Sequence, residues 1–96
     1  MIRGYRNPGT QHIAYGENTK EARRILPREL HKKAQIWLAV LDSAKSLDAL
    51  KSPGLRLEKL VGERRGQWSI RINSQYRICF CWEVDTAFNV EIVDYH

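Results

Sequence analysis

No apolar run in this chain approaches the ~20 residues that a membrane-spanning helix needs, and no secretory leader pattern opens it. Cysteine is nearly missing. Cys79 and Cys81 lie on one strand face, a poor geometry for a mutual disulfide, and no second Cys/His cluster completes a zinc site. No Gly-rich loop suited to phosphates occurs, which argues against a nucleotide-triphosphate enzyme. Internal repeats and low-complexity tracts are missing too. What remains is a small cytoplasmic protein with reduced, partly buried thiols, no cofactor and no membrane partner. With 96 residues, 43% hydrophobic and 28% charged, the chain is expected to be one domain, 1–96, around a single modest core.

Positive charge is plentiful, and it is localised. The formal net charge is +5. The segment from Lys51 to Arg77 carries all of that excess, in Lys51, Arg56, Lys59, Arg64, Arg65, Arg71 and Arg77 against Glu58 and Glu63. Cations and anions balance over the rest of the chain. A focused basic patch suits a polyanion such as nucleic acid.

That segment ends in the clearest strand pattern of the chain. Trp68, Ile70 and Ile72 alternate with Gln67, Ser69 and Arg71, and Tyr76, Ile78, Phe80 and Trp82 alternate with Arg77, Cys79 and Cys81. Matching apolar to apolar across a hairpin selects the loop Asn73–Ser74–Gln75, with Asn73 able to supply a positive φ. This register sets Arg71 opposite Arg77 on the polar face, with Cβ atoms roughly 5 Å apart. Like charges so placed weaken a sheet, unless both guanidiniums splay into water or share an anion. Planar guanidiniums match phosphate oxygens in bidentate fashion.

The remaining elements follow in order. Met1–Arg6 reads as an edge strand, broken by Asn7–Pro8–Gly9. Thr10 is expected to cap a short helix through Tyr15, ended by Gly16. Glu17–Leu26 lacks periodicity and reads as a loop with at most a helical turn. Leu30, Ala34, Trp37, Leu41 and Ala44 mark an amphipathic helix from Pro27 to about Lys45. Ser46 caps a further turn, Leu47–Leu50. Leu55–Leu60 reads as a strand with a bulge near Glu58–Lys59. A turn around Asp85–Thr86 leads to a last strand, Phe88–Asp94. Pairing Trp82 with Phe88 and Ile78 with Ile92 puts Arg77 opposite Val93, so that Asp94, Tyr95 and His96 end beside the arginine pair.

One polar face therefore gathers Arg56, Arg71 and Arg77, Glu58 and Lys59, and the Asp94–Tyr95–His96 tail. Metal-free RNA cleavage fits this set. It needs a base for the 2′-hydroxyl, cations for the phosphorane and an acid for the 5′-oxygen. DNA lacks that nucleophile.

Three stretches together are quite specific: Gly66–Gln67–Trp68–Ser69–Ile70–Arg71–Ile72–Asn73, Tyr76–Arg77–Ile78–Cys79–Phe80 and the closing Asp94–Tyr95–His96. Through them, and through Arg56–Leu57–Glu58–Lys59–Leu60, most of the chain resembles the HigB-type toxins of the RelE/ParE-like superfamily. The resemblance implies an α+β fold, two or three N-terminal helices on a mostly antiparallel sheet of four to five strands. It implies a ribosome-dependent endoribonuclease that cuts mRNA in the ribosomal A site. It implies as partners a HigA-type helix-turn-helix antitoxin, and operator DNA only through the antitoxin complex. Arg77 matches the family's phosphate-binding arginine, and Asp94, Tyr95 and His96 match C-terminal residues tied to activity. Many relatives carry His-Pro-Leu-Lys where this chain has Glu58–Lys59–Leu60–Val61. Glu58 thus serves either as a base or as an ion-pair partner of Arg56 or Arg71. Lys51, Arg56, Arg64, Arg65 and Arg71 are the expected RNA and ribosome contacts. The alternatives are a ParE-like gyrase inhibitor and a non-catalytic ribosome- or RNA-binding module.

Overall fold

The computed structural model describes residues 1–95. Three helices, α1 (Pro8–Ala14), α2 (Lys20–Ile25) and α3 (His31–Ser43), precede four strands, β1 (Glu58–Lys59), β2 (Trp68–Arg71), β3 (Tyr76–Glu83) and β4 (Thr86–Asp94). The strands form one antiparallel sheet in the order β1-β2-β3-β4. The helices pack on the sheet face that carries Ile70, Ile72, Ile78, Phe80, Val90 and Ile92, meeting it with Ile13, Leu26, Leu38 and Leu41. Each such fully buried side chain contributes about 1.5–3 kcal/mol. Strand alternation sends Ser69, Arg71, Arg77, Cys79 and Glu91 to the other face, away from α1, α2 and α3, where Arg64 of the 3-10 turn Gly62–Arg64 reaches across to Glu91.

Caps explain the helical half. Asn7, not Thr10, is the N-cap of α1: its side chain accepts from the Thr10 N–H at 2.9 Å, and Pro8 takes the first helical position. Thr10 is instead fully buried, and its hydroxyl accepts from the Ile92 N–H at 3.1 Å, tying α1 to β4. The stretch expected to be a loop contains α2, capped by Thr19 through the Ala22 N–H. Gly9 lets these two helices meet, since a Cβ there would sit 2.7 Å from the Glu21 carbonyl oxygen. The long helix begins later than expected. Arg28–Leu30 is a 3-10 turn after Pro27, and α3 ends at Ser43. Ser46 caps Leu47–Leu50 as expected.

The hairpin register is the expected one, with Ile70 opposite Ile78 and Arg71 opposite Arg77. Asn73 works differently from expectation. Its backbone is not left-handed; its side-chain oxygen accepts from the N–H groups of Gln75 (2.9 Å) and Tyr76 (2.7 Å).

β4 follows the expected register from Arg77–Val93 to Cys79–Glu91, then shifts by one residue, so that Cys81 faces Phe88 and Trp82 faces Ala87. The extra residue is accommodated at Asn89, with φ 52°. The turn is consequently tighter than expected, with Val84–Asp85 between Glu83 and Thr86. Met1–Arg6 does not form a strand. It runs parallel to β4 through two isolated bridges, Ile2–Ala87 and Tyr5–Val90.

The expected strand Leu55–Leu60 shrinks to β1. Leu55 closes a 3-10 turn, and Arg56 adopts a left-handed conformation (φ 47°, ψ 54°) that redirects the chain into the sheet. β1 pairs regularly, Glu58 with Ser69 and Lys59 with Trp68, so the expected bulge does not occur. Among the described residues no helix is long and apolar enough to cross a membrane.

Candidate active site

The face away from α1, α2 and α3 holds a cleft of about 410 Å³ lined by Arg56, Leu57, Glu58, Arg71, Asn73, Ser74, Arg77 and Tyr95. It is built by the turn into β1 and β1 itself, the facing strands β2 and β3, the loop between them, and the residue after β4. The Tyr95 N–H donates to the Gln75 carbonyl at 2.7 Å, which brings the end of the chain against that loop.

Arg71 and Arg77 face one another, and each is anchored to protein rather than to the other. The Arg71 Nε–H donates to the Asn73 carbonyl at 3.0 Å. The Arg77 Nε–H donates to Ser69 Oγ at 2.6 Å, and Nη2 donates to the Arg56 carbonyl at 2.7 Å. The Arg77 Cζ lies 5.5 Å from the centre of the Tyr95 ring, a cation–π contact. Nη1 has no protein partner among the described residues, which leaves donors for an anion.

Glu58 is exposed and lines the same cleft, and it forms no ion pair with any arginine there. Of the two roles open to it, the pairing with Arg56 or Arg71 is therefore not realised. Among the described residues its carboxylate has no ion-pair partner, and it shares the cleft lining with Arg56, Arg71 and Arg77.

The other predicted residues lie outside the cleft. Lys59 points the opposite way from Glu58, its Nζ 5.8 Å from the Trp68 ring centre. Asp94 pairs with Tyr76 in the sheet, and its carboxylate accepts from Gln75 Nε2 at 3.1 Å. Lys51 is ion-paired with Asp48 at 2.8 Å. Arg64 is half-buried, donating to Glu91 (3.2 Å) and Gln67 (3.1 Å). Arg65 is exposed. His96 lies outside the described residues. Among those residues there is no group of three or more His, Cys, Asp or Glu placed to hold a metal ion.

Sequence reasoning missed Ser69, Asn73 and Ser74 as parts of this site. A signal for Ser69 existed: once Arg71 opposes Arg77, Ser69 is the diagonal neighbour of Arg77 on the same face. Near them Cys79 is buried, and burial pushes its thiol up to about 11 from 9.0, against a smaller opposing effect of Arg64.

Residues 13–96 match the family model described as the RelE-like toxin of type II toxin-antitoxin system HigB. Toxin HigB-1 of Vibrio cholerae serotype O1 is 37% identical over 67 residues, which cover 69% of this chain and 70% of that protein. The fold resembles two solved structures from Staphylococcus aureus at 18% identity. One is a heterotetrameric YoeB-YefM toxin-antitoxin complex, with a TM-score of 0.59. The other is a YoeB-YefM complex, with a TM-score of 0.56. Each match covers 100% of this chain and 95% of the matched chain.

Proposed function

The chain belongs to the HigB-like family of RelE-like toxins of type II toxin-antitoxin systems, and on that premise we propose that it is a ribosome-dependent endoribonuclease cutting mRNA in the A site without a metal ion. The observation that carries the reading is the cleft itself, where opposed arginines share a wall with an unpaired carboxylate and a tyrosine. A single basic patch would need only cations. This one also holds groups that can move protons.

The chemistry follows from the groups present. Glu58 takes the proton of the ribose 2′-hydroxyl, whose oxygen attacks the adjacent phosphorus. Arg77 and Arg71 stabilise the charge that develops on the phosphorane oxygens. The bond to the 5′-oxygen breaks, and Tyr95 supplies the proton to that leaving oxygen. The products are a 2′,3′-cyclic phosphate and a free 5′-hydroxyl. His96 remains a second candidate acid at the end of the chain. Arg56 and Arg65 bind the RNA or the ribosome. Asp94 acts less directly, holding Gln75 and with it the loop that borders the cleft.

We further propose that residues 1–96 are one toxin domain acting in the cytoplasm, silenced by a helix-turn-helix antitoxin and reaching operator DNA only through it. The toxin-antitoxin pairing in the YoeB-YefM complex supports an antitoxin partner. Inducing the chain in growing cells and mapping RNA 5′ ends tests the proposal. In-frame cuts in translated mRNA, lost with Arg77→Ala, are expected. Intact mRNA together with a DNA-damage response would instead favour gyrase inhibition.

A further inference from the structure

Thr10 and Ser69 are the buried polar residues among those described. Thr10 is accounted for by its bond to β4. Ser69 lies on the sheet face away from α1, α2 and α3, and it is fully buried, with Arg77 bonded to its hydroxyl. It is not one of the residues expected to do chemistry.

Three contacts hold the Arg77 guanidinium. Ser69 Oγ takes the Nε–H, the Arg56 carbonyl takes an Nη2–H, and the Tyr95 ring stacks against it. The Nη2–Ser69 carbonyl distance, 3.5 Å, adds a weaker contact. The Arg56 carbonyl reaches this position because its residue is left-handed, a conformation that an L side chain rarely adopts. Backbone strain of this kind persists where the surroundings enforce it. Here one strained residue both turns the chain into β1 and directs a carbonyl at Arg77.

We propose that Ser69 and the Arg56 peptide carbonyl are positioning groups that lock the Arg77 guanidinium before the scissile phosphate arrives; this rests on the endoribonuclease reading above. A donor already in place needs no reorganisation as charge develops, whereas a free arginine must be ordered during the reaction. Ser69 touches no substrate in this scheme and acts only through Arg77.

The test compares wild type, Ser69→Ala, Arg77→Ala and the double variant in single-turnover mRNA cleavage on programmed ribosomes, with Nε–H NMR of the arginines. Ser69→Ala is expected to slow cleavage roughly 10- to 100-fold. Its ribosome affinity and melting temperature should stay close to wild type. In the Arg77→Ala background the same change should have no further effect. Restoring a hydroxyl with Ser69→Thr should recover part of the rate. The Arg77 Nε–H should exchange slowly in wild type and fast in Ser69→Ala. Equal single-turnover rates for wild type and Ser69→Ala, or an additive loss in the double variant, would overturn the proposal. If the wild type cuts no mRNA, the endoribonuclease reading fails. The NMR comparison then decides the clamp alone: an Arg77 Nε–H unaffected by Ser69→Ala overturns it, and one released by that change supports it.

Discussion

A guanidinium on an open sheet surface normally samples many rotamers, and its charge is then spread over a large volume of water. Arg77 is held by a serine, a carbonyl and a ring, so its charge has one address. Removing it should cost about 10²–10³-fold in cleavage rate, the usual loss for a preorganised donor, read by single-turnover kinetics of Arg77→Ala. Glu58→Gln keeps the shape of the cleft and removes the base. A loss of about 10²–10⁴-fold with unchanged ribosome binding is expected. Cys79 carries a prediction about stability. Its buried thiol ionises near 11 in the fold and near 9.0 in the open chain. Above about 9 the unfolded state loses a proton that the native state keeps. Stability should therefore be intact below that point and decline as pH rises from about 9 to about 11. Denaturation midpoints across that window should fall less steeply for Cys79→Ala. At this scale the opposed arginines were legible in the sequence, because alternation and like-with-like pairing leave one acceptable register. The same register puts Ser69 diagonal to Arg77, but its burial was hidden, since a serine on the polar face of a strand reads as solvated until something is seen to lie over it.

Elements were legible where periodicity was long and failed where a single residue decided. The hairpin and α3 each offer several apolar positions at one spacing, so no one residue carries the assignment. α2 has only Lys20–Ile25, too short for a stripe, and the Thr19 cap is what defines it. β1 was overextended because nothing in an arginine announces a left-handed backbone, yet Arg56 has one. The register of β4 slipped beyond Cys79–Glu91 because Asn89 admits an extra residue without a glycine to mark it. Thr10 shows how caps mislead: Asn7 and Thr10 both carry capping side chains near the start of α1, and the one not used for capping lies inside the helix and joins it to β4. Thr10→Val keeps the volume and removes the acceptor of the buried Ile92 N–H. It should destabilise the fold by about 1–3 kcal/mol in urea titration, with the m-value unchanged.

Taken whole, the molecule divides its labour between two faces. One sheet face and three helices bury the core, and the other face carries Arg56, Arg71 and Arg77 at the cleft. The charge asymmetry was visible in the sequence, but the fate of each cation was not. Lys51 pairs with Asp48 at the surface, Arg64 pairs with the partly buried Glu91, and Arg65 is exposed. Arg65→Ala should accordingly weaken ribosome association most at low ionic strength and flatten its salt dependence, because screening removes the contribution of an exposed cation as salt rises. Arg64→Ala should mainly lower the melting temperature, because it leaves the half-buried Glu91 without its cation. Pelleting across a salt series and thermal unfolding separate the two. The cleft as an RNA-cleaving centre is tested most directly by incubating the purified chain with ribosomes holding a defined mRNA and mapping both new ends. The account predicts a cut in the A-site codon that leaves a 2′,3′-cyclic phosphate and a 5′-hydroxyl, and that forms about 10²–10³-fold more slowly with Arg77→Ala. Intact mRNA, a 3′-hydroxyl product, or a cut made at the wild-type rate by Arg77→Ala would contradict it.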